Sequence, residues 1–123
     1  MTVFVPGIDE VTVSTDGTVA LVTINRPEKL NSVTPPMSAA LESFAHWAND
    51  SDDVRAVVLT GAGDKAFCAG ADLSAGSGSF KYDYSKVGLA FVKLMKQARD
   101  LTLPLIARVN GHAMAGGMGM LGM

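Results

Sequence analysis

Two short glycine-bearing stretches hold the residues best suited to chemistry: Ala66-Phe67-Cys68-Ala69-Gly70-Ala71-Asp72-Leu73 and Asn110-Gly111-His112-Ala113-Met114-Ala115-Gly116-Gly117. Small residues there let the backbone approach a ligand that bulky side chains would hold off. Two such turns on neighbouring strands can aim two backbone N–H groups at one oxygen. That arrangement stabilises negative charge developing on a carbonyl, which is what an oxyanion hole does. The nearby side chains offer less. Asp72 reads first as a loop-structuring residue that caps backbone N–H groups, and only second as a general base. Cys68, between Phe67 and Ala69, reads as a small buried hydrophobe and not as a nucleophile. His112 is expected to hydrogen-bond structurally, and His46 to lie on the polar side of a helix.

Turns of this kind need strands to carry them. Val11-Thr12-Val13 and Val19 to Ile24 are β-rich runs around Thr15-Asp16-Gly17-Thr18, and Asp-Gly between such runs predicts a hairpin. Asn25 to Ser32 is a polar loop. Met37, Ala40, Leu41, Phe44 and Ala48 follow helical spacing after Pro35-Pro36, and the helix is expected to end in Asn49 to Asp53. Ala56 to Thr60 predicts a strand buried on both faces. A long glycine-bearing loop from Gly61 to about Tyr84 follows and holds the first turn. Val87, Phe91, Leu94, Met95 and Ala98 predict a second amphipathic helix, Leu105 to Val109 another strand, and Gly116 onward a third helix. Strands alternating with helices give an α/β fold with mainly parallel strands. The methionines at 114, 118, 120 and 123 are expected to fill the core.

Composition narrows the class. The chain has 123 residues, 48% hydrophobic and 18% charged, with a net charge of -2. That suits one globular domain with a substantial core. The basic residues form no run or stripe, so no nucleic-acid partner is expected. One cysteine excludes an internal disulfide and fits a reducing, cytoplasmic setting. No secretory signal opens the chain, and Pro104 to Met123 carries Arg108, Asn110 and His112, which argues against a membrane span. The two histidines and one cysteine show no metal-ligand spacing, so no metal is expected. Gly117-Met118-Gly119-Met120-Leu121-Gly122 spells G-x-G-x-x-G, but it neither follows its strand directly nor precedes an acidic residue, so a dinucleotide turn is not expected.

Three blocks in register resemble the enoyl-CoA hydratase/isomerase family, also called the crotonase family. They are Val22-Thr23-Ile24-Asn25-Arg26-Pro27 with Asn31; Val57 to Gly61 continuing to Phe67 through Leu73; and Pro104 to Ala107 continuing to Asn110-Gly111 and Gly116-Gly117. The resemblance runs along nearly the whole chain and covers the N-terminal half or so of the family's usual length. It implies a spiral of ββα units, incomplete at its C-terminal end, with residues 1–123 forming the N-terminal part of a single acyl-CoA-binding domain. It implies an oxyanion hole from the N–H groups of Ala71 and Gly116, and substrate contacts from Lys29, Leu30, Ala69, Asp72, Leu73 and Gly117. Coenzyme A would enter as part of the thioester substrate, with no prosthetic group. Full-length members form trimers and hexamers, so a homo-oligomer is implied for a full-length form.

The resemblance also exposes a departure. Many hydratases of the family use two glutamates, and the position of the first is Gly119 here; the second would lie beyond Met123. The apolar helix after Gly116 has no C-cap, which points to truncation. Two readings follow: an acyl-CoA enzyme, in first place a 2-enoyl-CoA hydratase with an isomerase as a variant, or a non-catalytic CoA-binding or interaction fragment.

Overall fold

An Asp-Gly pair between two β-rich runs starts the fold. The computed structural model describes residues 4–72 and 90–122. Val11–Asp16 (β1) and Val19–Ile24 (β2) pair antiparallel, Val11 opposite Ile24 and Asp16 opposite Val19. Gly17 takes φ +59° at the tip, where a Cβ would be strained. Along β2, Ala20, Val22 and Ile24 are buried and their neighbours half-buried, the alternation a strand's two-residue period imposes.

A 3₁₀ turn at Pro27–Lys29 breaks the polar loop and leads to the helix Pro35–Asp50 (α1). Thr34 caps that helix, its hydroxyl accepting from the Met37 N–H at 3.4 Å. Pro35 and Pro36 occupy the first turn, where a missing N–H costs nothing. The helix therefore begins before Met37, and the face predicted from spacing (Met37, Ala40, Leu41, Phe44, Ala48) is the buried one.

The remaining elements are Ala56–Gly61 (β3), Ala66–Cys68 (β4), Ala90–Arg99 (α2), Leu105–Arg108 (β5), His112–Ala113 (β6) and Gly116–Leu121 (α3). The chain thus reads ββα three times. In the first unit both strands join the main sheet, whose order is β1-β2-β3-β5 with β2, β3 and β5 parallel. In the second and third units the first strand extends that sheet, while β4 and β6 leave it and pair in parallel as a sheet of their own. Residues of α1, β2, β3 and β4 share one core with Leu94 of α2 and Met120 of α3.

Four expectations change. β4 lies within what reads from sequence as one long loop; three residues are too few to show a period. β3 is not buried on both faces: Val57 and Leu59 are buried, but Ala56 and Val58 are half-buried, because the described residues cover one face of the sheet more fully. Met120 is core, whereas Met118 is 64% exposed, since α3 turns only one side to the core, and Met114, in the turn before α3, is 51% exposed. The ring of His112 is exposed, and among the described residues its bond is made by the backbone N–H to the Lys65 carbonyl, 3.1 Å. Leu73, Val87 and Met123 lie outside the described residues, as does the loop's later part. No helix among the described residues is long and apolar enough to cross a membrane.

Candidate functional site

Two asparagines build the frame on which the site rests. Asn31, fully buried, accepts from the Arg26 N–H at 2.9 Å through Oδ1. Its Nδ2 donates to the carbonyls of Ala62 (2.9 Å) and Ala66 (2.8 Å). Asn110 works from the other side: Oδ1 accepts from the Gly61 N–H, and Nδ2 donates to the Gly63 and Ala66 carbonyls, each at 3.0 Å. Both amides therefore converge on the Ala66 carbonyl and fix where β4 begins. Taking up carbonyls of the β3–β4 turn, the buried one of Ala66 among them, is what the two side chains contribute. Gly61 and Gly111 admit the crossing: a Cβ on either would come 2.5 Å from a backbone oxygen, of Phe67 and Lys65 respectively.

Because β4 and β6 run parallel, their C-terminal ends lie side by side and the turns after them are neighbours. The Met114 N–H donates to the Cys68 carbonyl at 3.1 Å. Gly117 packs so closely on Cys68 that a Cβ there would overlap that carbonyl oxygen. A Cβ on Gly70 (φ +105°) would sit 3.2 Å from the Gly116 nitrogen. The two glycine turns thus meet, as their composition suggested.

The backbone sets which way the amides face. Val33 bridges the first turn: its N–H donates to the Gly70 carbonyl (2.8 Å), and its carbonyl accepts from the Asp72 N–H (3.0 Å). In extended backbone the intervening residue then turns its own N–H to the opposite side. That residue is Ala71, and it is exposed. In the second turn the N–H groups of Gly117 and Met118 are taken by the carbonyls of Met114 and Ala115. The Gly116 N–H is the first of α3 and, like that of Ala71, meets no acceptor among the described residues. Ala115, at φ 50° and ψ -121°, makes the corner; a non-glycine residue in that state carries strain.

The other expected residues fall around this pair. Lys29 and Leu30 are exposed, and the Leu30 carbonyl accepts from the Ala69 N–H at 3.1 Å, which brings their loop against the first turn. Gly117 is buried behind Gly116. Asp72 is nearly buried, and its carboxylate meets the Arg26 guanidinium at 2.5 Å. Cys68 is fully buried, and burial pushes its thiol pKa up despite the Gly70 N–H at 3.4 Å from Sγ. A thiol kept neutral in this way is a packing group, not an activated nucleophile.

Sequence reasoning from the residues alone missed Arg26, Ser32, Val33 and Ala115. Val33 acts through its backbone, and Ala115 through its dihedral angles, so neither side chain advertises a role. Arg26 had a signal only in its place beside Pro27, in the same block as Asn31; its pairing with Asp72 had none.

A profile of the family described as "Enoyl-CoA hydratase/isomerase" matches residues 14–123. The probable enoyl-CoA hydratase EchA14 of Mycobacterium tuberculosis is 43% identical over 112 residues, covering 91% of this chain and 43% of that protein. The short-chain-enoyl-CoA hydratase of Clostridium acetobutylicum is 36% identical over 110 residues, covering 89% and 42%. Among solved structures, the enoyl-CoA hydratase from Bacillus anthracis superimposes with a TM-score of 0.77 at 33% identity, over 89% of this chain and 43% of that one. The chain thus spans less than half the length of these relatives.

Proposed function

This chain belongs to the enoyl-CoA hydratase/isomerase family, and from that premise we propose that its residues bind an acyl-CoA thioester, with the N–H groups of Ala71 and Gly116 holding the thioester oxygen. The observation that carries the reading is the meeting of the two turns, each presenting one amide that no acceptor among the described residues takes up. Hydration of a 2-enoyl-CoA is the reaction this hole suits first. Water adds at the β-carbon, the C=C electrons move onto the thioester oxygen, and the α-carbon then takes a proton. Charge on that oxygen is greatest midway, so fixed donors favour the transition state over the bound substrate. Isomerisation of the double bond passes through the same enolate and would use the same hole. Lys29, Leu30, Ala69, Asp72, Leu73 and Gly117 are the proposed surroundings of the thioester and its CoA. The relatives' names supply the substrate class. A reducing, cytoplasmic setting and a homo-oligomeric full-length form belong to the same proposal.

A second reading, CoA-thioester binding without turnover, is favoured by one observation. Asp72, the carboxylate beside the two amides, is tied to Arg26, and Gly119 brings no side chain.

Proline at position 71 tests the hole. Neither bond to Val33 uses the Ala71 N–H, so Ala71→Pro removes the donor and leaves the bridge intact. Loss of one such donor costs about 3 kcal/mol at the transition state, roughly a hundredfold in kcat. Unchanged turnover in a folded Ala71→Pro variant would refute the assignment. Binding of crotonyl-CoA with no hydration in the wild type would favour the second reading.

A further inference from the structure

The turn that carries Ala71 is held from one side by hydrogen bonds to Val33, and from the other by a charge. Arg26 has its N–H on the Asn31 side chain at 2.9 Å, and its carbonyl accepts from the N–H groups of Lys29 (3.0 Å) and Asn31 (2.9 Å). Its guanidinium then reaches back across the loop. Nη1 donates to the carbonyl and the hydroxyl of Ser32, each at 3.2 Å, and meets the Asp72 carboxylate. Ser32 precedes Val33 and Asp72 follows Ala71, so this one side chain spans the bridge that orients the turn. Both partners of the ion pair are largely withdrawn from water, at 16% and 7% side-chain exposure. A charge-assisted contact in that setting fixes geometry more firmly than a surface pair does.

We infer that Arg26 is a positioning residue for the proposed oxyanion site: by clamping Ser32 to Asp72 it sets where the Ala71 N–H points. The inference rests on the oxyanion reading given above. It assigns Arg26 no contact with substrate. Its consequence is specific, because a tilted Ala71 amide weakens the bond to the thioester oxygen while leaving the CoA portion of the ligand bound as before. Lysine is a poor replacement here, since Nη1 makes all of these contacts from one bond farther along the side chain than a lysine ammonium reaches.

The test uses crotonyl-CoA carrying a ¹³C-labelled thioester carbonyl, bound to the intact protein, with the carbonyl stretch read by infrared difference spectroscopy. Free CoA, which has no such carbonyl, reports binding alone. The wild type is expected to lower the stretching frequency on binding. Arg26→Gln and Asp72→Asn should each abolish most of that lowering, and in Arg26→Gln the Kd for free CoA should stay within roughly threefold. The double variant should lose no more than either single one, since both remove the same clamp. Arg26→Lys should restore less than half of the lowering. Should Arg26→Gln fail to fold, the isosteric Asp72→Asn carries the spectral comparison. A wild-type frequency kept in Arg26→Gln or Asp72→Asn overturns the positioning role and leaves the oxyanion reading standing. So does a loss of free-CoA affinity in Arg26→Gln that fully accounts for the spectral loss. Bound crotonyl-CoA with an unshifted carbonyl in the wild type overturns the oxyanion reading, and the inference falls with it.

Discussion

Single residues in this site act mainly by what they lack or by their backbone. Gly117 is the sharpest case: any side chain would run into the Cys68 carbonyl oxygen, so α3 can approach β4 only because a hydrogen stands there. Gly117→Ala should push α3 outward and lower the unfolding free energy by about 1–3 kcal/mol, as overpacking of a tight contact does. Chemical denaturation measures it, and an unchanged midpoint would contradict the close approach. Legibility at this scale was uneven. The glycine-rich composition of the two turns pointed directly to a close backbone approach, and Cys68 between Phe67 and Ala69 to a packing role. The Arg26–Asp72 pair was not visible, because forty-odd residues of chain separate its members and only the folded bridge at Val33 brings them together. The exposure of Met114 and Met118 was likewise hidden, since Met114 lies in an irregular turn and the six-residue helix that holds Met118 is too short for spacing to identify a face.

At the scale of elements, the decisive pair is β4 and β6. Each is too short to announce itself in the sequence, yet their parallel pairing sets the two turns side by side. The longer elements were readable: the hairpin from its Asp-Gly, α1 from its apolar spacing, and β3 and β5 from apolar runs. The small sheet was implied only by the family resemblance, through its ββα repeat. What fixes β4 is side-chain hydrogen bonding from Asn31 and Asn110 to one carbonyl, which no propensity encodes. Removing Asn31 should therefore loosen the start of β4. Asn31→Ala removes the partner of the Arg26 N–H and of the Ala62 carbonyl, leaves the Ala66 carbonyl to Asn110 alone, and should cost at least about 2 kcal/mol. Asn31 also sits at φ 56°, so Asn31→Gly should be milder than Asn31→Ala by about 1 kcal/mol. Thermal unfolding of both variants checks the order. Equal losses would mean that the left-handed backbone contributes nothing.

At the scale of the whole molecule, the three ββα units make a frame whose main sheet has β1 and β5 as its edges among the described residues. At the β5 edge, Ile106 within the strand and Val109 just after it are each 52% exposed. The fold matches solved enoyl-CoA hydratases over nearly all of this chain and less than half of theirs. The site proposed here draws on all three units: Arg26, Leu30 and Val33 from the first, Ala69 to Asp72 from the second, and Gly116 with Gly117 from the third. Ligand binding should therefore be felt at three separated stretches of sequence and nowhere along the β1–β2 hairpin. An amide ¹H–¹⁵N correlation spectrum recorded during titration with crotonyl-CoA reads this most directly. The Ala71 and Gly116 amide protons are expected to move downfield together, as donors to one oxygen should, with smaller changes at Lys29, Leu30 and Ala69. Saturating ligand that leaves both of those amides unmoved would contradict it.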